Sequence, residues 1–179
     1  MKKRLLLGLG LLGVVLVLGG DALACGDKLV IVGRGVRPKG YKGAKPASIL
    51  LYADPKGSVP AALDQGNLRK DLERAGHRLR SVGTHEELAA ALNTGTYDLL
   101  FADFKAAPGL EDEANAAASK PTVLPTLFNS TAAELAAASS QYECVLKAPG
   151  QQKDYLTVVN EALAQRAKRA SADKAAAKK

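Results

Sequence analysis

The sequence predicts an α/β fold, a three-layer, doubly wound sheet of five parallel strands. Three observations carry this. From Ser48 onward, short apolar runs alternate with longer segments of helical periodicity. The run "LLFA" at 99–102 is apolar without alternation, as in a strand covered on both faces. The helical segments also carry start and stop signals. Thr84 with Glu87 and Thr131 with Glu134 stand at capping-box spacing, and Gly76 and Gly95 stand where helices end.

Taken in order, "SILLYA" (48–53) is the first strand. "LDQGNLRKDLERAG" (63–76) is an amphipathic helix with Leu63, Leu68 and Leu72 near one face. "HRLRSV" (77–82) is a second strand, and "THEELAAALNTG" (84–95) a helix opened by its capping box. "YDLLFAD" (97–103) is the third strand and "LEDEANAAAS" (110–119) a short helix or turn. "PTVLPTLF" (121–128) is the fourth strand, although Pro125 removes a ladder donor from its middle. "STAAELAAASSQ" (130–141) is a helix, "YECVLK" (142–147) the fifth strand, and the segment at 152–170 the last helix, with Tyr155, Val158, Val159 and Leu163 on one side. Alternating strands and helices imply parallel pairing through right-handed crossovers.

The ends read differently from this body. Lys2, Lys3 and Arg4 precede an uncharged run from Leu5 to Gly20, followed by Ala22-Leu23-Ala24. That is the anatomy of a secretory signal peptide at 1–24, and its apolar run of 16 residues falls short of the ~20 that a spanning helix needs. The expectation is export, to the periplasm or to a lipid-anchored position in the cell envelope. Cys25, next after the small-x-small triplet, is where bacterial lipoprotein processing attaches diacylglycerol. Ala22 departs from the Leu usual three places before that cysteine, and ordinary cleavage would leave Cys25 a free N-terminal thiol. Cys144 is the second of two cysteines. It reads as a small hydrophobe in a buried strand, with pairing to Cys25 as the alternative to lipidation. Residues 25–47 are loop-rich, with room for one extra strand at 28–32.

Charge separates the same parts. The whole chain is +7. The tail at 166–179, which sets Arg166, Lys168, Arg169, Lys174, Lys178 and Lys179 against Asp173, is +5, and residues 25–165 sum to zero. The basic balance belongs to a solvated Ala/Lys tail rather than to the domain at 48–165, which excludes a nucleic-acid-binding domain surface.

In an open parallel sheet, ligands bind beyond the carboxyl ends of the strands. Asp54 follows the first strand, Asp103 ends the third, Thr126 lies near the end of the fourth and Lys147 ends the fifth. Over 48–166 this order resembles the receiver domain of two-component response regulators, a flavodoxin-like fold. "YDLLFADFKAAPG" is similar to the segment bearing the phosphoacceptor, which puts that role on Asp103. "ILLYADPKG" is similar to the first strand and its acidic pair, with Asp54 as the second acid. Thr126 matches the switch hydroxyl and Lys147 the lysine that meets the phosphoryl group. The resemblance implies magnesium held by Asp54 and Asp103, where two carboxylates supply hard oxygen ligands. It also implies a protein partner on the face formed by the fourth helix, fifth strand and fifth helix of such domains.

The chain departs from that pattern at the chemistry. Ala53 replaces the first acid, Pro108 comes five residues after Asp103 instead of four, and the Lys-Pro step becomes Lys147-Ala148-Pro149. An exported protein also meets no cytoplasmic kinase. The expectation is therefore a receiver-like binding or signalling module, not an enzyme, without phosphotransfer and with no required cofactor. The alternatives are a working phosphoacceptor at Asp103 with magnesium, and a small-ligand binder using the strand-end rim. A dinucleotide turn at Gly33-Arg34-Gly35 fails because Pro38 stands where glycine is needed. Flavin binding lacks its phosphate loop and aromatic platform. Zinc lacks ligand spacing, and a hydrolase lacks its nucleophile elbow.

Overall fold

A computed structural model of the protein describes residues 46–176. The leader at 1–24, Cys25 and the extra strand at 28–32 lie outside the described residues. The elements run β1 (Ser48–Tyr52), α1 (Val59–Asp64), α2 (Leu68–Arg74), β2 (Arg78–Val82), α3 (His85–Thr94) and β3 (Leu99–Asp103), then α4 (Ala107–Ala116), β4 (Thr122–Phe128), α5 (Ala132–Gln141), β5 (Leu146–Ala148) and α6 (Gln152–Ala176).

The five strands form one sheet in the order β2-β1-β3-β4-β5, every neighbouring pair parallel. This is the flavodoxin-like doubly wound order. The pleat divides the strand residues between two layers. Ile49, Leu51, Leu99, Phe101, Leu124 and Leu146 pack with α1, α2 and α6. Leu50, Leu100 and Ala102 pack with α3 and α4, and Leu127 and Val145 pack with Ala138 of α5. Leu50, Leu51, Leu99, Leu100 and Phe101 are fully buried, as expected of central parallel strands. Among the described residues no helix is long and apolar enough to cross a membrane.

Several elements differ from the sequence expectation, each for a local reason. The helix expected at 63–76 is two helices broken at Gln65-Gly66-Asn67, where Asn67 takes φ 55°. A Cβ on Gly66 would stand 2.5 Å from the Ala62 carbonyl oxygen and 3.3 Å from the Ala148 Cβ, so only glycine lets the chain turn there. Pro125 sits within β4 opposite Ala102 without interrupting it. The Thr126 carbonyl accepts from the Phe104 N–H, so it points to β3, and the neighbouring Pro125 nitrogen points to the β5 side. Pairing with β5 begins only at Thr126, so the missing donor has no ladder partner to fail.

The strand expected at 142–147 is shorter and shifted, Leu146–Ala148. α6 runs through residue 165 without a break to Ala176, so the expected tail begins as helix, with residues 167–176 exposed. Cys144 is buried as expected, at 5 % exposure, but it is no thiol: it is disulfide-bonded.

Candidate functional site

The switch point of this strand order lies between β1 and β3, where the crossovers leave in opposite directions. Asp54 follows β1 and Asp103 ends β3, so the two carboxylates flank that crevice. What each oxygen does is decided by backbone donors. Asp103 Oδ2 accepts the Ser58 N–H at 2.8 Å and Oδ1 accepts the Lys105 N–H at 2.9 Å. Asp54 Oδ1 accepts the Lys56 N–H at 2.9 Å. These are charge-assisted bonds, among the stronger ones a loop can make.

The first bond explains how α1 starts. Its N-cap, Ser58, makes no side-chain capping bond, and Pro60 occupies the first turn. The Asp103 carboxylate supplies the missing acceptor from 45 residues away. Gly57 makes the approach possible. A Cβ there would lie 3.2 Å from the Asp103 Cβ, so the 54–58 loop lies directly over the aspartate.

Thr126 pairs with Asp103 in the β3–β4 register, which puts both side chains on the α1/α6 side of the sheet. Its hydroxyl is fully buried and reaches only the Leu124 carbonyl, at 3.4 Å. Lys147 pairs with Leu127, one step out of phase, and so faces the α5 side. It is exposed. The residue on the crevice side is Ala148, followed by a cis bond to Pro149. Arg69–Glu73 and Arg166–Asp98 form ion pairs and His85 meets Glu113, and none of these uses Lys147. The fold thus brings together Asp54, Asp103 and Thr126 and turns Lys147 away.

The donor set fits magnesium poorly. Ala53 leaves one acidic position empty, three of the four carboxylate oxygens of Asp54 and Asp103 already accept backbone N–H groups, and no cluster of three metal-ligating side chains occurs among the described residues. A hard cation would share oxygens already bonded to the loops and would lack the carboxylate that Ala53 replaces.

Around the mouth of β1, Tyr52 is held protonated above its ordinary value of 10.0, first by burial and then by Asp54, Glu86 and Glu113. His85 Nε2 lies 3.3 Å from Glu113. Sequence reasoning missed this acidic rim and two structural networks. At the foot of the sheet Arg166 pairs with Asp98 at 3.1 Å and donates to the Ser119 carbonyl at 2.7 Å, while Asp98 accepts the Ser48 N–H at 2.9 Å. Beside it, buried His77 accepts the Ala47 N–H through Nδ1 at 3.1 Å. Lone polar residues at strand starts were the available signal, and the sequence does not say what they face.

No family model matches the chain, and no curated protein matches it. Among solved structures it is similar to the receiver domain of the sensor histidine kinase PA1611 from Pseudomonas aeruginosa PAO1, at 14 % identity over 66 % of this chain and 98 % of that one, with a TM-score of 0.46. That domain was crystallised with a magnesium ion in its active-site cleft.

Proposed function

We propose that the chain is an exported, receiver-like binding module that makes protein contacts and does not transfer phosphate. One observation carries the reading: both oxygens of the Asp103 carboxylate are committed to backbone N–H groups of the loops that cover it. A phosphoacceptor needs a cation beside it and an oxygen that can turn onto the phosphoryl group; Ala53 removes one acidic ligand, and each Asp103 oxygen is already tied to a loop. Here the aspartate serves the fold by starting α1 and closing the turn after β3.

Contact through α5 and its neighbours fits the way this helix is built. α5 buries only Ala138, and Ala133, Ala136, Ala137 and Gln141 are exposed along its length. Its own capping box holds it, with Thr131 Oγ1 accepting from the Glu134 N–H and the Glu134 carboxylate accepting from Thr131. The helix therefore keeps its shape with little help from the core and leaves a flat surface of small side chains. The test is crosslinking of the full protein in its own cell envelope, wild type against Ala133→Arg/Ala137→Arg. Loss of a crosslinked species in the variant, at unchanged melting temperature, is the expected result. No crosslinked species from wild type, or one indifferent to the variant, contradicts protein contact through this face.

A further inference from the structure

Among the described residues, β2 is an edge of the sheet and pairs on one side, with β1. Its hydrogen bonds fix which backbone groups face outward. The Arg78 N–H donates to the Ala47 carbonyl, and the Val82 carbonyl accepts the Ala53 N–H, each at 2.8 Å. In a parallel pair, the N–H and C=O of one residue point the same way and those of its neighbour point the other way. Arg78, Arg80 and Val82 therefore turn to β1, while Leu79 and Ser81 turn both their backbone groups outward. Gly83, next in that phase, gives its N–H to the Glu87 carboxylate at 2.8 Å. Among the described residues no backbone partner takes the N–H and C=O groups of Leu79 and Ser81.

The side chains put positive charge on this open edge. Arg78 and Arg80 are exposed and share the sheet face of Val82. Arg80 is held there by donating to the Tyr97 hydroxyl at 3.1 Å. On the other face, exposed Ser81 accepts from Arg69 of α2 at 2.8 Å. Arg69 also meets Glu73 at 3.9 Å, but among the described residues no carboxylate pairs with Arg78 or Arg80. Arg69, Lys70, Arg74, Arg78 and Arg80 are half of the ten Lys and Arg in 46–165, and the rest of that range sets five against thirteen Asp and Glu. An acidic domain thus gathers its cations beside one strand edge.

We infer that the outer edge of β2 takes an extended acidic segment of a partner protein as an added strand, with carboxylates at alternate positions. The unpaired donors and acceptors of Leu79 and Ser81 call for a polypeptide backbone, which lipid headgroups do not supply. The alternation follows from the pleat. Residues of the added strand that face Arg78 and Arg80 stand two apart, and a carboxylate matches the planar fork of each guanidinium. A second copy of the chain fits badly. Two β2 edges paired about a two-fold axis would bring Arg78 and Arg80 against the same arginines. Lys147 gives β5, the other edge, a like charge. Charged side chains of this kind keep copies apart and leave the edge to an oppositely charged strand. This surface lies across the sheet from α5 and β5, so it stands or falls separately from the contact proposed above.

The test is fluorescence anisotropy of full-length protein with a labelled peptide of about nine residues alternating Glu and Thr. Binding is expected for this peptide and not for its Lys/Thr counterpart. Arg78→Glu/Arg80→Glu should weaken it by more than tenfold, roughly the effect of reversing close charges. Ser81→Pro removes an outward donor that no ladder bond uses and should weaken it about tenfold. If either variant melts early, wild type with two modified peptides decides. N-methylation of alternate residues should weaken binding about tenfold in one phase and leave it unchanged in the other, since only one set of N–H groups faces β2. No binding at about 1 mM peptide would overturn the proposal. Equal binding of both methylated peptides and the parent would overturn it too, as attraction by charge alone. A dimer of the protein that Ser81→Pro dissolves would put a second copy on the edge instead.

Discussion

At the scale of single residues, the carboxylate at the end of β3 is a joint in the backbone. Replacing Asp103 with Ala strips the acceptor from the Ser58 and Lys105 N–H groups together. The expected loss is about 2 kcal/mol, seen as a lower urea midpoint at unchanged slope. A midpoint shift equivalent to less than ~0.5 kcal/mol would mean those bonds do not hold the loops.

His77 makes a second prediction. Burial holds its imidazole below the ordinary 6.5, and its Nδ1 must stay unprotonated to accept from Ala47. In the region below 6.5 the unfolded chain binds the proton more readily than the folded one, so stability is full above that pH and falls as pH drops below it. Urea melts at pH 7.5 and 5.5 should show this loss in wild type and not in His77→Gln. Asp103 was legible in "TYDLLFAD" because a strand announces its own end. Its partners were not, because every residue offers the same N–H and only the tertiary fold selects Ser58.

Elements follow the same division between local and distant causes. Both capping boxes form as spelled, since Thr84 with Glu87 and Thr131 with Glu134 need nothing beyond their own turn. Thr84→Ala should cost about 1 kcal/mol. The break between α1 and α2 had no comparable signature beyond Gly66, because what fixes it comes from α6. The Tyr155 hydroxyl donates to the Gly66 carbonyl at 2.8 Å and accepts the Gly150 N–H at 2.6 Å, in a ring that is 1 % exposed. One side chain thus joins the α1–α2 turn, the loop after β5 and the last helix. Tyr155→Phe keeps the ring and orphans two backbone groups, and should lower stability by about 2 kcal/mol in the same urea assay. A neutral substitution would mean that water replaces the hydroxyl in this corner. Pro125 teaches a related lesson. Its place in β4 reads as an obstacle in one dimension and becomes harmless once the side it faces and the start of β5 are known.

Across the whole molecule, the five-strand parallel order was readable because alternation of strand and helix constrains topology strongly. The extent of α6 was not, because its last turns bury no residue that could have announced them. Arg166 is where the domain stops needing the helix. It ties α6 to Asp98 and Ser119, and the described residues after it, 167–176, are exposed. Deleting residues 168–179 should leave the melting temperature unchanged within error, whereas Arg166→Ala should lower it, since it leaves Asp98 at the sheet foot without its cation. The reverse pattern would place the structural boundary further along the helix.

The molecule that results has a flavodoxin-like, doubly wound parallel sheet and a switch point whose acids hold loops. The most direct test of that claim is the intact mass of the full-length protein before and after acetyl phosphate with magnesium. An unchanged mass is the predicted result. A single added phosphoryl group, absent in Asp103→Asn, would contradict it and make Asp103 a working nucleophile.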